Sequence, residues 1–526
     1  MKEEILVVDY GGQYTQNIAR RVRELGVYSR IVSCDKVTAR DIARASGIIN
    51  SGGPKSCIDS DAPHYNPQLF VTDTPSLDIC YGMQLRANIL PGGEVVHGAK
   101  REYGRNLVTI VERNDTLYKG LEKRIQCWMS HGDKVTKIPD GYRVTAKTEN
   151  GIIASMSNPA RNSYSVQFHP EVTHTPDGMD ILANFVYRIA GCKKGSWDLG
   201  KYVNTILNDI GKSVKGRDVI MFASGGVDST VAAALLAKAK EKGKDVGRVY
   251  VVHIDNGLMR TNESKQVVEY LTKLKGLENL IFEDASAYFL DKLKGVVNPT
   301  RKREIIGDAF IDVQNKIIRR LKLSKNTMLC QGTLYTDLIE SGKGVGTHAS
   351  VIKKHHNVAS PYVLKKRKKG LVIEPLRELF KDESRRIGEH LGLPQEIVWR
   401  QPFPGPGLGI RAIGRPLTKK RLDTLRRATD ILEEEIEKAC LDRKIWQYFP
   451  ALLGTKAVGV KGDAGTHQEI CAIRAVTSKD GMTADWYRFP HRVMDKISRR
   501  LMNEVPGIGR VLYDIGSKPP ETIEFE

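Results

Sequence analysis

At 526 residues the chain is too long for one hydrophobic core, and about three domains are expected. An apolar share of 40% beside 27% charged residues excludes a disordered chain. Apolar runs such as Val231 to Ala237 fall short of the roughly 20 residues a membrane span needs. Lys and Arg number 82 against 62 Asp and Glu, a net charge of +20 that favours anionic partners, nucleotides among them. The basic residues are dispersed except for Lys365–Lys369, read as a solvated loop, so nucleic acid is not an expected partner. Eight cysteines without a C-x-x-C pair argue against a zinc site or a disulfide framework, and most should be buried, reduced thiols. Met1-Lys2-Glu3-Glu4 leads straight into a strand-like run with no secretory apolar region, so a soluble cytoplasmic protein is expected.

The first segment alternates strands and helices. Ile5–Tyr10 reads as a buried strand, Gly11-Gly12 as a turn, and Thr15 to Leu25 as a helix. Gly47–Asn50 and Ser76–Ile79 are further short strands, and the domain closes at Cys192, before a Lys193–Ser196 linker. A second α/β unit, 200–396, opens on the strand Asp218–Ala223, continues through a helix over Val231 to Lys240, and has another strand at Val249–Ile254. Between Gly342 and Gly370 the periodicity is weak and a loop is expected. Pro402-Phe403-Pro404-Gly405-Pro406-Gly407 suits neither helix nor central strand. A third, α+β domain over 397–526 follows, with a helix across Leu417–Ala439.

Asp78-Ile79-Cys80-Tyr81-Gly82-Met83-Gln84 puts a cysteine between a strand and a helix. A nucleophile on such a sharp turn projects from the sheet edge, and the N–H groups around it can hold an oxyanion. A helix N-terminus favours the thiolate form of a cysteine. The nucleophile needs a base and a group to orient that base. Gln167-Phe168-His169-Pro170-Glu171 supplies both, with His169 and Glu171 sharing strand parity. Ser224-Gly225-Gly226-Val227-Asp228-Ser229-Thr230 is the second constellation. Its glycines let the backbone wrap phosphate oxygens at a helix N-terminus, while Ser224, Ser229 and Thr230 add hydroxyls. No lysine stands where a Walker loop requires one.

Cys80–Gln84, Ser51-Gly52-Gly53-Pro54 and Gln167–Glu171 resemble the class I glutamine amidotransferases over residues 1–192. That resemblance implies a Cys80–His169–Glu171 triad that releases ammonia from glutamine through a thioester. The backbone of Gly53 and Tyr81 would hold the oxyanion, with Gln84 and the Ser130–Asp133 segment holding substrate. Ser224–Thr230 resembles the pyrophosphate loop of the ATP pyrophosphatases, a Rossmann-like fold akin to the adenine-nucleotide α-hydrolases. His253-Ile254-Asp255-Asn256-Gly257 resembles their adenine and metal-side segment, and Mg²⁺ would accompany ATP. That superfamily also contains NAD and asparagine synthetases, so the loop alone leaves the substrate open.

The remaining motifs resemble the GMP synthase family: Ile305–Gly307, Gln331–Tyr335, Lys353–Val358, Pro402–Gly409 and Ser517–Glu526. The resemblance implies an α/β multidomain protein with a C-terminal domain that binds XMP and forms a homodimer. It further implies nucleotide contacts from Arg303, Asp463, Lys518 and Glu524, and a lid holding Asp337, Glu340 and Lys353. His355 and His356 read as loop or substrate contacts rather than metal ligands. Thr336, Phe525 and Ala359–Tyr362 depart from the family pattern. A related glutamine-fed synthetase, or a basic nucleic-acid binder on a retired scaffold, are the alternatives. The Lys518–Glu526 tail argues against the first, and intact triad and loop residues argue against the second.

Overall fold

The computed structural model describes residues 3–335, 337, 361–461, 464–478, 483–518 and 520–526. One compact unit holds the described residues up to Tyr202 together with Tyr335 and Asp337, and a second holds Val203–Leu334 with the described residues from Pro361 onward.

The first unit is built on nine strands: β1 (Glu4–Asp9), β2 (Tyr28–Ser33), β3 (Gly47–Asn50), β4 (Ser76–Ile79), β5 (Glu94–Ile110), β6 (Arg124–Lys137), β7 (Arg143–Thr148), β8 (Ile153–Asn158) and β9 (Ser163–Val166). They lie in the order β2-β1-β3-β4-β9-β8-β7-β5-β6. The side from β2 to β9 is parallel, and the pairs from β9 to β6 are antiparallel. β1, β3 and β4 are buried along their whole length, which explains why β1 reads as a nearly unbroken apolar run, whereas β4 alternates in sequence because it buries Ser76 and Asp78. Their carboxyl ends lead into Tyr10, Ser51 and Cys80, so one sheet edge collects the turns that carry chemistry.

In the second unit β10 (Val219–Phe222), β11 (Val249–Asp255), β12 (Asn279–Asp284), β13 (Met328–Cys330) and β14 (Val372–Ile373) form a parallel sheet ordered β12-β11-β10-β13-β14. The helix Val227–Glu241 follows β10 and is buried on most sides by its Ala, Val and Leu residues. Further on, β15 (Gln447–Lys461), β16 (Ala464–Thr477), β17 (Asp485–Trp486) and β18 (Ile508–Asp514) form a second sheet, flanked by the helices Lys419–Lys438 and His491–Glu504. One continuous core runs from Ile220 and Val252 through Leu258 and Leu408 to Leu425 and Ile473.

Part of the segment read as a loop over 342–370 is helical. Pro361–Lys368 forms a helix with proline at its start, where a missing N–H costs nothing. Val363 and Lys366, three apart, share its inner face. The Lys366 stem is buried and its Nζ donates to the carbonyls of Thr327 at 2.6 Å and Lys325 at 3.3 Å. The basic run is therefore not wholly solvated. Residues 342–360 lie outside the described residues. All eight cysteines are free, and only Cys440 is exposed. Among the described residues, no helix is long and apolar enough to cross a membrane.

Candidate active sites

Cys80 begins where β4 ends, and its φ of 53° is one that side-chain-bearing residues rarely adopt. Its N–H donates to Val166 O at 2.8 Å, which locks the bend to β9 before the helix Tyr81–Ile89 starts. As the first helical residue, Tyr81 has an N–H with no acceptor inside the helix. Two glycines let this turn close. A Cβ on Gly82 would stand 2.7 Å from Asn50 O, and one on Gly53 would stand 3.1 Å from Tyr10 O. Between them, a Cβ on Gly52 would lie 3.1 Å from His169 Cε1 and 3.7 Å from Cys80 Cβ, so imidazole and thiol face one another across this glycine.

His169 Nδ1 pairs with Glu171 Oε1 at 2.7 Å, and both side chains are buried. Shared strand parity is not what joins them. β9 ends at Val166, and residues 167–171 form a turn at Pro170, which has no N–H to continue a ladder. Burial opposes a charged imidazole here. The Glu171 carboxylate and the Cys80 sulfur outweigh it, and His169 is held well above the usual histidine range. With Nδ1 engaged by Glu171, Nε2 is the nitrogen left for the thiol.

Gln84 is buried, its Nε2 donating to Asp133 O at 3.0 Å and Gln167 Oε1 at 3.3 Å. Asp133 also accepts at its carbonyl from His131 Nδ1 at 2.9 Å, while its carboxylate meets Ser56 Oγ and, at 2.9 Å, His97 Nδ1. Ser130 O and Gln167 Nε2 each lie 3.7 Å from Cys80 Sγ. The structure thus brings Cys80, His169, Glu171, Gly53, Tyr81, Gln84 and Asp133 to one place. Sequence reasoning missed Tyr14, whose ring meets the His169 ring edge-on at 5.0 Å, and Arg21, whose Nε donates to Glu171 O at 3.1 Å. Both sit on or beside the helix Thr15–Glu24, and nothing local in their sequence points to a triad more than a hundred residues on.

In the second unit Gly225 has φ 83°, and a Cβ there would stand 2.6 Å from Val267 Cγ2. The loop closes on itself: Ser224 Oγ lies 3.2 Å from Ser229 Oγ, and Ser229 and Thr230 hydroxyls each donate to Gly226 O at 3.0 Å. Val227 opens the helix, so the first N–H groups of the helix have no acceptor within it at its positive end, while Gly226 N–H donates to Ser224 Oγ at 3.3 Å. Asp228, in the first helical turn, accepts from Lys381 Nζ at 3.2 Å and Ser384 Oγ at 3.4 Å. Lys381 comes from the distant helix Lys381–His390 and carries no motif that would have singled it out. Asp255 ends β11 on the same carboxyl edge, accepting from Gly257 N–H at 2.8 Å.

The tail of the chain is pinned. Lys518 pairs with Ala484 through both main-chain groups, at 2.7 and 3.0 Å. Glu524 accepts from buried Arg411 at 2.9 Å and from Gln447 at 2.7 Å, and Arg303 donates to Glu526 O. Lys302, also buried, meets Ala412 O at 2.7 Å and Glu526 at 3.2 Å. Asp337 is helical and half-buried, whereas Asp463, Glu340 and Lys353 lie outside the described residues.

A thiol on a strained strand-to-helix turn, facing a histidine that a glutamate orients, defines the first unit as a class I glutamine amidotransferase domain. The family model Glutamine amidotransferase class-I matches residues 6–189, and the model GMP synthase C terminal domain matches residues 434–525. The chain is 47% identical to the GMP synthase [glutamine-hydrolyzing] of Solidesulfovibrio magneticus, over 100% of this chain and 99% of that one. It is 47% identical to the enzyme of that name from Limosilactobacillus reuteri, over 100% and 98%. With that from Clostridium tetani the identity is 46%, over 100% of both chains. The chain belongs to the glutamine-hydrolysing GMP synthase family.

Proposed function

We propose that glutamine-dependent GMP synthesis in this chain divides between a glutaminase site at Cys80 and a synthetase site at Ser224–Thr230. The single observation that carries the reading is the meeting of Cys80 and His169 across Gly52, with Glu171 2.7 Å behind the imidazole. The Cys80 thiolate attacks the glutamine carboxamide, and the N–H groups of Gly53 and Tyr81 hold the developing oxyanion. His169 delivers its proton to the departing ammonia, leaving a thioester on Cys80. Water, deprotonated by His169, then cleaves the thioester to glutamate and restores the thiol. Gln84 and Asp133 fix the wall against which glutamine lies.

In the synthetase half, ATP adenylates the XMP O2 oxygen and pyrophosphate leaves. Ammonia then displaces AMP to give GMP. The Ser224–Thr230 loop holds the β,γ-phosphates at a helix N-terminus, and Lys381 adds a cation beside it. Mg²⁺ takes hard oxygen ligands, and the Asp228 and Asp255 carboxylates with the Ser224 and Ser229 hydroxyls are a donor set of that kind. Bound there, Mg²⁺ would neutralise phosphate charge. Arg303, Lys518, Glu524 and Asp463 are the proposed XMP contacts, and Asp337, Glu340 and Lys353 the proposed lid groups. A homodimer through the C-terminal segment and a cytoplasmic location complete the reading. The test is GMP formation from XMP, ATP and Mg²⁺ with glutamine or ammonium as nitrogen donor. Failure with both donors overturns the whole reading; failure with glutamine alone overturns only the glutaminase half.

A further inference from the structure

Asp78 and Arg86 bracket the Cys80 turn, one on β4 and the other on the helix that follows, and both side chains are buried. A buried ion pair is an expensive way to hold a fold together, since desolvation offsets most of its attraction. This one has every polar atom of its charged groups engaged. Asp78 accepts from Arg86 Nε at Oδ2 and from Arg86 Nη2 at Oδ1, the latter at 3.3 Å, and also from Asn50 Nδ2 at 2.6 Å and from Ser165 Oγ at 2.9 Å. Arg86 also donates to Ser76 Oγ at 3.0 Å, Phe70 O at 3.2 Å and Tyr142 OH at 3.3 Å. The pair therefore ties β3, β4, β9 and the helix after Cys80 to a single point.

The network continues toward the reacting groups. Asn50 Oδ1 accepts from Tyr10 OH at 3.2 Å, and the Tyr10 ring packs on Tyr81 with centroids 5.3 Å apart. A Cβ on Gly53 would stand 3.3 Å from Tyr10 Cβ and 3.2 Å from the Tyr81 ring. Residues 53 and 81 are the two proposed oxyanion donors. We propose that the Arg86–Asp78 pair is a positioning device for glutamine hydrolysis, fixing the strained Cys80 turn and, through Asn50 and Tyr10, the Gly53 and Tyr81 N–H groups. The inference rests on the glutaminase reading of Cys80. Its physical basis is that a bidentate, planar contact fixes angle as well as distance, which apolar packing of equal volume does not.

The test replaces both members at once, because removing one alone strands a buried charge and risks unfolding. Asp78→Leu/Arg86→Met in the full chain should remain folded, with ammonium-dependent GMP synthesis unchanged. Its glutaminase kcat should fall roughly ten- to hundredfold, with the glutamine KM within about threefold, as expected for misplaced reacting groups. Arg86→Lys keeps the charge without the fork and should give a smaller loss in kcat with the same constant KM. A folded double variant with unchanged kcat overturns the proposal, and so does a glutamine KM that rises as far as kcat falls, which is the mark of a generally loosened first unit and a merely structural pair. Should the double variant not fold, full kcat in Arg86→Lys overturns it. Cys80→Ser, measured alongside, separates the two levels: if it retains glutaminase activity the site itself is misassigned, whereas if it is inactive only the positioning role is at stake.

Discussion

Glu171 stands two residues beyond His169 and turns back on it, Oε1 to Nδ1 at 2.7 Å, because Pro170 bends the chain directly after β9 ends. The carboxylate both selects the tautomer and sustains the imidazolium against burial. Glu171→Ala should lower glutaminase kcat by roughly 10²- to 10⁴-fold, the range for losing the orienting member of a triad. Its second signature is a shift in titration. With the carboxylate gone, only the Cys80 sulfur still opposes burial and His169 moves down, so the pH profile of Cys80 alkylation changes shape. An alkylation profile identical to that of the parent enzyme would separate Glu171 from His169.

Cys80→Ala should abolish glutamine-dependent GMP synthesis and leave ammonium-dependent synthesis largely intact. The nucleophile lies in the first compact unit and the phosphate-type loop in the second, so adenylation does not require the thiol. Steady-state assays with each nitrogen donor decide it. Equal loss with both donors would contradict this division of labour.

The two loop glycines should respond differently to alanine. Gly225 has φ 83° and no room beside Val267, whereas a Cβ on Gly226 would only approach Ser224 Oγ at an ordinary 3.4 Å. Gly225→Ala carries a left-handed backbone cost of about 1–2 kcal/mol besides the clash. It should raise the ATP KM and reduce synthesis with either nitrogen donor. Gly226→Ala should bind ATP nearly as well as the parent. A reversed order in ATP KM would mean that the loop is shaped otherwise.

Much of the candidate chemistry was readable because it sits in short contiguous motifs at strand ends. Cys80 is flanked by a buried strand and a helix, and the Ser224–Thr230 loop is likewise framed, so the glycine-containing motif between strand and helix marked each turn. What escaped the sequence was partnership over distance. Lys381 reaches Asp228 from a helix about 150 residues away, and Arg86 pairs with Asp78 only because the helix after Cys80 folds its first turns back over β4. The helix Pro361–Lys368 escaped for another reason. Its polar composition hides an inner face made by Val363 and the Lys366 stem, which no hydrophobic count records.

His253 lies fully buried beneath the phosphate-type loop, its Nδ1–H donating to Ala223 O at 2.8 Å. Burial holds it below the ordinary histidine value despite the nearby Asp255 and Glu263 carboxylates. The sign follows from proton counting. Below about pH 6.5 the unfolded chain binds a proton that the folded chain refuses. The contribution of His253 to stability is therefore complete above that pH and is lost as pH falls through the folded-state value. Histidine C2 hydrogen–deuterium exchange, read by mass spectrometry, should give His253 a midpoint below 6.5. A midpoint at or above that value would contradict the burial argument.

Lys518→Ala should raise the XMP KM, since a phosphate dianion would lose a charge-assisted partner worth about 1.5–3 kcal/mol. That is roughly ten- to hundredfold in binding. A residue so close to the chain end would ordinarily be free to wander, and its loss would then change nothing. Here the main chain around it is anchored at several points. Lys518 pairs with Ala484, buried Arg474 donates to Gly516 O at 2.7 Å and Thr522 O at 3.1 Å, and Arg411 holds Glu524. These anchors fix the backbone from which the lysine side chain extends, so the ammonium can be delivered to a defined position at reduced entropic cost. ATP affinity should change much less, because its proposed contacts lie at Ser224–Thr230. Kinetics with ammonium as nitrogen donor isolate the effect from the glutaminase site. An unchanged XMP KM would mean that the anchored tail serves the fold and not the nucleotide.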